Sequence, residues 1–222
     1  MAKTDTSNTP PLPPLSRERI LQTALRLADE GGLEALSMRK VAQELGVKAM
    51  SLYNHVASKD DIIDGIVDIV VGKIDLPRFD LDWKIAMRQR ALSAHEVLLK
   101  HPWAAIAIMS RINIGPAMLH YVDRTIGCLR EAGFSWKMAD HAWNAIDSHI
   151  YGFTLQELNF PVEASAYAET AESFISYIPP DQYPYMHQLS LYIIDGSYDG
   201  LYDFEFGLDF VLDGLDRLRE RA

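Results

Sequence analysis

The sequence predicts an all-α protein: a small N-terminal three-helix unit, then a larger helical domain. Three observations predict it. No segment alternates apolar and polar residues with period two between hairpin turns, so sheet is not expected. Apolar residues recur at helical spacing along most of the 222 residues. The stretch Ser37 to Val56, SMRKVAQELGVKAMSLYNHV, reads as two short helices around a glycine turn.

The elements follow in order. Residues 1–15 are rich in Thr, Ser and Pro and lack periodicity, which predicts a disordered N-terminal arm. Lys3 in it is a possible minor-groove contact, though an inert tail is the simpler expectation. Ser16 can cap a helix whose buried stripe is Ile20, Leu21, Ala24, Leu25 and Ala28, stopped by Gly31-Gly32. Ser37 can cap the next, in which Val41, Ala42 and Leu45 form one stripe. Ala42 is small where two crossing helices approach. Gly46 supplies a left-handed residue that ends the helix, and Val47 plugs inward. In the second helix of the pair Leu52 and Val56 face in. Lys48, Ala49, Met50, Ser51, Tyr53, Asn54 and His55 are left outside.

A face mixing hydroxyl, amide, imidazole and ammonium groups can hydrogen-bond phosphates and touch base edges. The pair is therefore expected to be a helix-turn-helix whose second helix enters the major groove of double-stranded DNA. A generic amphipathic pair would explain any one of these residues but not the whole pattern. Ser58-Lys59-Asp60-Asp61 is a capping-box variant that starts a fourth helix, with Ile62, Ile63, Ile66, Val67, Val70 and Ile74 apolar and an end before Pro77.

From Arg19 to Ile66 the chain resembles the TetR family of bacterial transcriptional regulators. LYNHV followed by a Lys-Asp pair is the most specific part. FEFGLDFVLDGL, Phe204 to Leu215, is similar to the closing helix of the tetracycline-repressor-like subfamily, and HPW at His101 and LREAGFS at Leu129 also fit it. The resemblance implies that Arg39 is a base or phosphate contact. It implies that Ala49, Met50 and Tyr53 touch bases, and that Ser51, Asn54, His55 and Lys59 clamp the backbone. With Ser37 and Lys48 these complete the expected DNA-binding set. Ala49 stands where the tetracycline repressor has a Gln that reads a base, and Asn54 where it has an aromatic residue. An alanine can touch a thymine methyl but cannot hydrogen-bond a base, so a different operator is expected.

Charge is divided unevenly. The net charge is −10, yet residues 1–60 hold eight Lys/Arg against seven Asp/Glu, and residues 61–222 thirteen against twenty-four. Within 37–59 four basic residues meet one acidic. The acidic remainder should repel DNA and orient the protein on it. One cysteine, Cys128, excludes an internal disulfide and reads as a buried core thiol. No apolar run reaches the length of a spanning helix, so no membrane partner and a soluble cytoplasmic protein are expected.

After a connector at 75–80, helices are expected near 83–100, 103–111, 114–132, 136–158, 163–176, 182–194 and 203–220. The proline-interrupted stretch from Leu155 to Tyr202 cannot be one helix and is expected to act as a lid or a partner-embracing segment. The domains are thus expected at 16–75 for DNA binding and 76–222 for ligand binding and dimerisation, sharing the helix that starts near Lys59.

The seven histidines lack metal-site spacing, so no metal and no cofactor are expected. Asp195 to Gly200 imitates the start of a calcium loop, but Phe206 stands at the twelfth position, so an acidic turn is expected. There is no nucleophile elbow, phosphate loop or dinucleotide fingerprint, and an enzyme is not expected. The central helices interleave large apolar residues with a few polar ones, the pattern of a small-molecule cavity. Trp103, Met109, Asn113, His120, Trp143, Asn144, Asp147 and Tyr151 are its candidate lining. In the family the helices corresponding to 136–158 and 203–220 pair with their copies. Phe204, Leu208, Val211, Leu212 and Leu215 form the last helix's main stripe and are the expected dimer contact, with Phe206 and Phe210 standing off it.

Together these readings predict a homodimeric repressor released from a palindromic operator by an unidentified small-molecule effector. The alternative is a helical binding protein or enzyme that retains an unused helix-turn-helix.

Overall fold

A computed structural model describes residues 14–162, 164–198 and 203–219. Eleven α-helices appear among them and no strand: α1 (Arg17–Gly31), α2 (Met38–Leu45), α3 (Ala49–Leu52), α4 (Lys59–Val71), α5 (Trp83–Lys100), α6 (Ala104–Ser110), α7 (Pro116–Glu131), α8 (Trp136–Asn159), α9 (Tyr167–Phe174), α10 (Pro184–Ile194) and α11 (Phe204–Arg219). The expectations for residues 1–13, including Lys3, and for Asp199 and Gly200 lie outside the described residues.

Helices α1, α2 and α4 begin where their capping residues dictate. The hydroxyls of Ser16, Ser37 and Ser58 accept from the backbone N–H three residues on, in Arg19, Lys40 and Asp61. Each satisfies a donor that a helix start leaves unpaired, worth about 1 kcal/mol. Gly46 adopts φ +70, the left-handed conformation that ends α2. Ile20, Ala24, Val41, Leu52, Ile62 and Ile66 meet in one core. Helix α3 is shorter than its apolar pattern suggested. It spans only Ala49–Leu52, and Tyr53, Asn54 and His55 follow in a turn closed by Leu52 O accepting from His55 N and Val56 N at 2.9 and 3.0 Å. Helix α4 ends at Val71, before the expected Ile74, and two tight turns carry the chain to the connector.

In the larger domain α8 lies against α5, α7 and α11, and α4 bridges α1 on one side and α6 and α7 on the other. Trp83 meets Phe134 edge to face, ring centroids 4.9 Å apart. Cys128 is buried, and burial pushes its thiol pKa up to about 11. The helices α9 and α10 pack on each other and expose Phe174, Tyr185, Met186 and Tyr192, and Tyr177 is exposed in the turn between them.

The final helix corrects one expectation. Phe204, Leu208, Leu212 and Leu215, assigned to a dimer contact, are buried within their own chain, and Val211 is half-buried. Their stripe seals α11 onto α5 and α8. Burying such a side chain is worth about 1.5–3 kcal/mol, enough for the monomer's core to claim it. Phe206 and Phe210, 72% and 73% exposed, occupy the outward face instead.

Candidate nucleic-acid interface and cavity

The outer face of the helix-turn-helix is exposed as expected. Ser37, Arg39, Lys48, Met50, Tyr53, Asn54 and His55 reach solvent, and Ala49 and Ser51 are half-buried. Met50 is 75% exposed, far more than an apolar side chain in a small core would be. Two residues have partners within the chain. The Ser37 hydroxyl accepts from Lys40 N to cap α2, which leaves its own proton to donate. The Lys59 ammonium is half-buried and donates to Leu33 O at 3.1 Å, tying α4 to the loop after α1.

The turn after α3 is held from behind. Arg17 bonds both carboxylate oxygens of Asp61 and approaches His55 O at 3.4 Å. The Asp61 Oδ2 also accepts from Ala57 N at 2.8 Å. The guanidinium of Arg17 holds the Asp61 pKa below the ordinary carboxylate value.

A cavity of about 670 Å³ lies between the end of α6, the loop 111–115, α7 and α8. Six of the eight candidate lining residues converge on it: Met109, Asn113, Trp143, Asn144, Asp147 and Tyr151. Two do not. Trp103 is buried elsewhere, its indole Nε1 donating to Asp29 Oδ1 at 2.8 Å, because it closes the seam between α1 and α6. His120 is exposed on α7, one residue before Tyr121, which turns inward. Composition alone could not tell which side of α7 faced the cavity.

Behind the lining residues Tyr121, Trp143, Asp147 and Tyr151 lies a buried polar network whose centre, Arg90, sequence reasoning missed. Arg90 of α5 is fully buried, and its Nη2 donates to the Tyr121 hydroxyl and to Asp147 Oδ1. Asp147 Oδ2 accepts from Trp143 Nε1 at 2.7 Å and from the Tyr151 hydroxyl at 3.4 Å. Burial opposes the charge on Arg90, but Asp147 outweighs it, so the Arg90 pKa lies above its ordinary value. Trp143, Asp147 and Tyr151 stand four residues apart on one face of α8, a spacing that was visible in the sequence.

The loop beside the cavity is bonded to α4. Arg111 Nε pairs with Asp64 at 2.8 Å, and its Nη2 reaches Asp60 at 3.2 Å. Asn113 Nδ2 donates to Asp64 O at 2.9 Å. Asp68 accepts from the backbone N–H of Ala117 and Met118, capping α7. A Cβ at Gly115 would meet the Asp68 carboxylate and push it off this cap. A second junction lies nearby: His101 bridges Asp29 Oδ1 of α1 at 2.7 Å and the Lys73 ammonium after α4 at 2.9 Å. Among the described residues no group of three His, Cys, Asp or Glu could hold a metal, and no helix is long and apolar enough to cross a membrane.

Comparison with known proteins adds the following. Residues 20–66 match the model of bacterial regulatory proteins of the tetR family, and residues 76–219 match the tetracyclin repressor-like C-terminal domain. The HTH-type transcriptional repressor DrrR1 of Streptomyces coeruleorubidus is 30% identical over 218 residues, covering 94% of this chain and 80% of that protein. The class C tetracycline repressor protein of Escherichia coli is 28% identical, covering 92% of each. The crystal structure of the Streptomyces coelicolor TetR family protein ActR in complex with actinorhodin superposes with a TM-score of 0.79 at 28% identity, covering 93% of this chain and 99% of that one.

Proposed function

Because the chain belongs to the TetR family, in its tetracycline-repressor-like subfamily, we propose that it is a ligand-responsive transcriptional repressor. It binds a roughly palindromic operator as a homodimer and leaves it when a small molecule enters the cavity between α6, α7 and α8. The observation that carries this reading is the loop 111–115, which lines the cavity and is bonded to α4, the helix behind the recognition turn. A ligand that favours one position of this loop favours one position of α4. That is a shift between two states, driven by the ligand's unequal affinity for them.

In this reading residues 16–75 bind DNA and residues 76–222 bind ligand and dimerise, after an N-terminal arm at 1–15. Ala49, Met50 and Tyr53 meet bases, Arg39 meets a base or a phosphate, and Ser51, Asn54 and His55 meet phosphates together with Lys48 and Lys59. That ActR is solved with actinorhodin supports an organic molecule as effector. The dimer forms through the outward faces of α8 and α11. On α8 that face holds His141 and the small residues Ala145, Ser148 and Gly152, the last two also lining the cavity, and on α11 it carries Phe206 and Phe210. The exposed apolar side chains of α9 and α10 serve as an arm that lies on the partner. A helical protein with an unused helix-turn-helix would have no need of Met50 and Tyr53 in solvent.

Selection of bound duplexes from a random-sequence library tests the proposal. The expected product is a site of two inverted half-sites about one helical turn apart, roughly 10 base pairs between centres. Recovery of no preferred sequence, or of single half-sites bound by monomer, would overturn it.

A further inference from the structure

We propose that Met50, at the start of α3, is a specificity-determining residue that reads the C5 methyl group of a thymine in the major groove. The proposal rests on the reading of the helix-turn-helix as the DNA-binding unit.

Met50 is 75% exposed, more than any other large apolar side chain described in residues 16–75. The small core has no place for it. Leu52 and Val56, both buried, take the inward side of α3 and of the turn after it. The backbone beneath Met50 is fixed from both ends. Gly46 turns the chain into α3, and Lys48 O accepts from Ser51 N at 2.9 Å. Behind the following turn stands the Arg17–Asp61 pair. Met50 is therefore presented outward on a rigid support. An exposed apolar side chain held in this way gains by meeting an apolar partner.

The residues around it narrow that partner. Between Gly46 and Ser58 the chain has no Arg, Gln, Asp or Glu. Only Lys48 and Asn54 there belong to the types that read guanine or adenine through paired hydrogen bonds. Ala49, next to Met50, has no polar side-chain atom and is half-buried, so it leaves the approach to Met50 open. The first residues of a recognition helix are the ones that come closest to base edges. Here they are a methyl and a thioether.

The major groove offers few matches for such a pair. The edges of guanine, adenine and cytosine present hydrogen-bond donors and acceptors. A methionine pressed on them would displace water and return no hydrogen bond. Thymine alone among the unmodified bases adds a methyl group. The unbranched, polarisable side chain of Met50 can adapt its rotamer to that methyl. Met50 thus favours thymine twice, by covering its methyl and by penalising the other edges.

The operator recovered from the random-sequence library supplies the probe. Each thymine of a half-site is replaced, in both half-sites together, by deoxyuridine. That removes the methyl and keeps every hydrogen-bonding group. The Kd of the full chain is then read by fluorescence anisotropy at fixed salt. At one thymine position the affinity should fall about tenfold, two methyl groups at roughly threefold to fourfold each. In Met50→Ala the same replacement should change affinity by no more than about twofold. A side chain that only supported the fold would not couple to one methyl group. Affinity for random DNA and its salt dependence should be unchanged in the variant, because Met50 carries no charge. Thermal melting checks that the variant folds, and if it does not, Met50→Gln decides by the same criterion.

An operator without thymine in its half-sites would overturn the proposal while leaving the protein an operator-binding regulator. So would uridine that is silent at every thymine, or a loss that stays above about twofold in the folded variant. Failure of the library to yield any preferred sequence would remove the reading beneath the proposal as well.

Discussion

Arg17 on α1 grips Asp61 on α4 with both terminal nitrogens, at 2.9 and 2.6 Å. Asp61 in turn holds Ala57 N and caps the end of the recognition turn. Replacing Asp61 by Ala should cost about 1–2 kcal/mol in urea unfolding, because a two-point ion pair and a backbone acceptor go together. Operator affinity should fall as well. Since Arg17 holds the Asp61 pKa below its unfolded value, this stability is present above the unfolded pKa, near 4, and lost as pH falls through the folded one. An Asp61→Ala chain with unchanged stability at pH 7 would contradict the clamp.

Lys48 and Lys59 should separate cleanly. Lys48 is exposed beside α3, so Lys48→Ala should lower the slope of log affinity against log salt by about one unit and leave melting unchanged. Lys59 bonds Leu33 O from a half-buried position, so Lys59→Ala should also lower the melting temperature. Equal melting of the two variants would show that the Leu33 contact contributes nothing.

Assembly should fail on the outward face of α11 and folding on its inward face. Phe210→Asp should give a folded monomer by light scattering, without operator binding. Leu212→Asp places a charge in the core and should unfold or aggregate the chain. A Phe210→Asp chain that remained dimeric would move the interface elsewhere.

His95 provides a pH signature. Burial lowers its pKa, with Glu157 at 3.2 Å opposing and His149 adding to the shift. The unfolded chain then binds more protons near pH 6 than the folded one, so stability should fall as pH drops from about 7 to 5. In His95→Gln that fall should be visibly shallower in thermal melts. A parallel pH profile would assign the effect to another group.

The helix-turn-helix was legible because its signals are local. Three serine caps, one left-handed glycine and short apolar stripes do not depend on the rest of the chain. The last helix was legible as two-faced, but its periodicity could not say which face belonged to the chain and which faced outward. An apolar stripe reads the same whether α5 and α8 or a second copy covers it. The cavity was partly legible, since Trp143, Asp147 and Tyr151 share one helical face. Arg90 and Arg111 were not, because their partners lie on helices distant in sequence. Trp103 and His120 misled because residue type says nothing of direction.

Asp60, Asp64 and Asp68 stand one turn apart along α4, and each is bonded to the segment from Arg111 to Met118. Eight residues of helix measure about 12 Å, so this is a seam with three anchors rather than a pivot with one. A segment fixed at one point can rotate and absorb small displacements. One fixed at three must slide as a body or detach as a body. A ligand response carried by such a seam would be all-or-none: partial occupancy of the cavity would yield a mixture of bound and released molecules, not a population of half-bent ones.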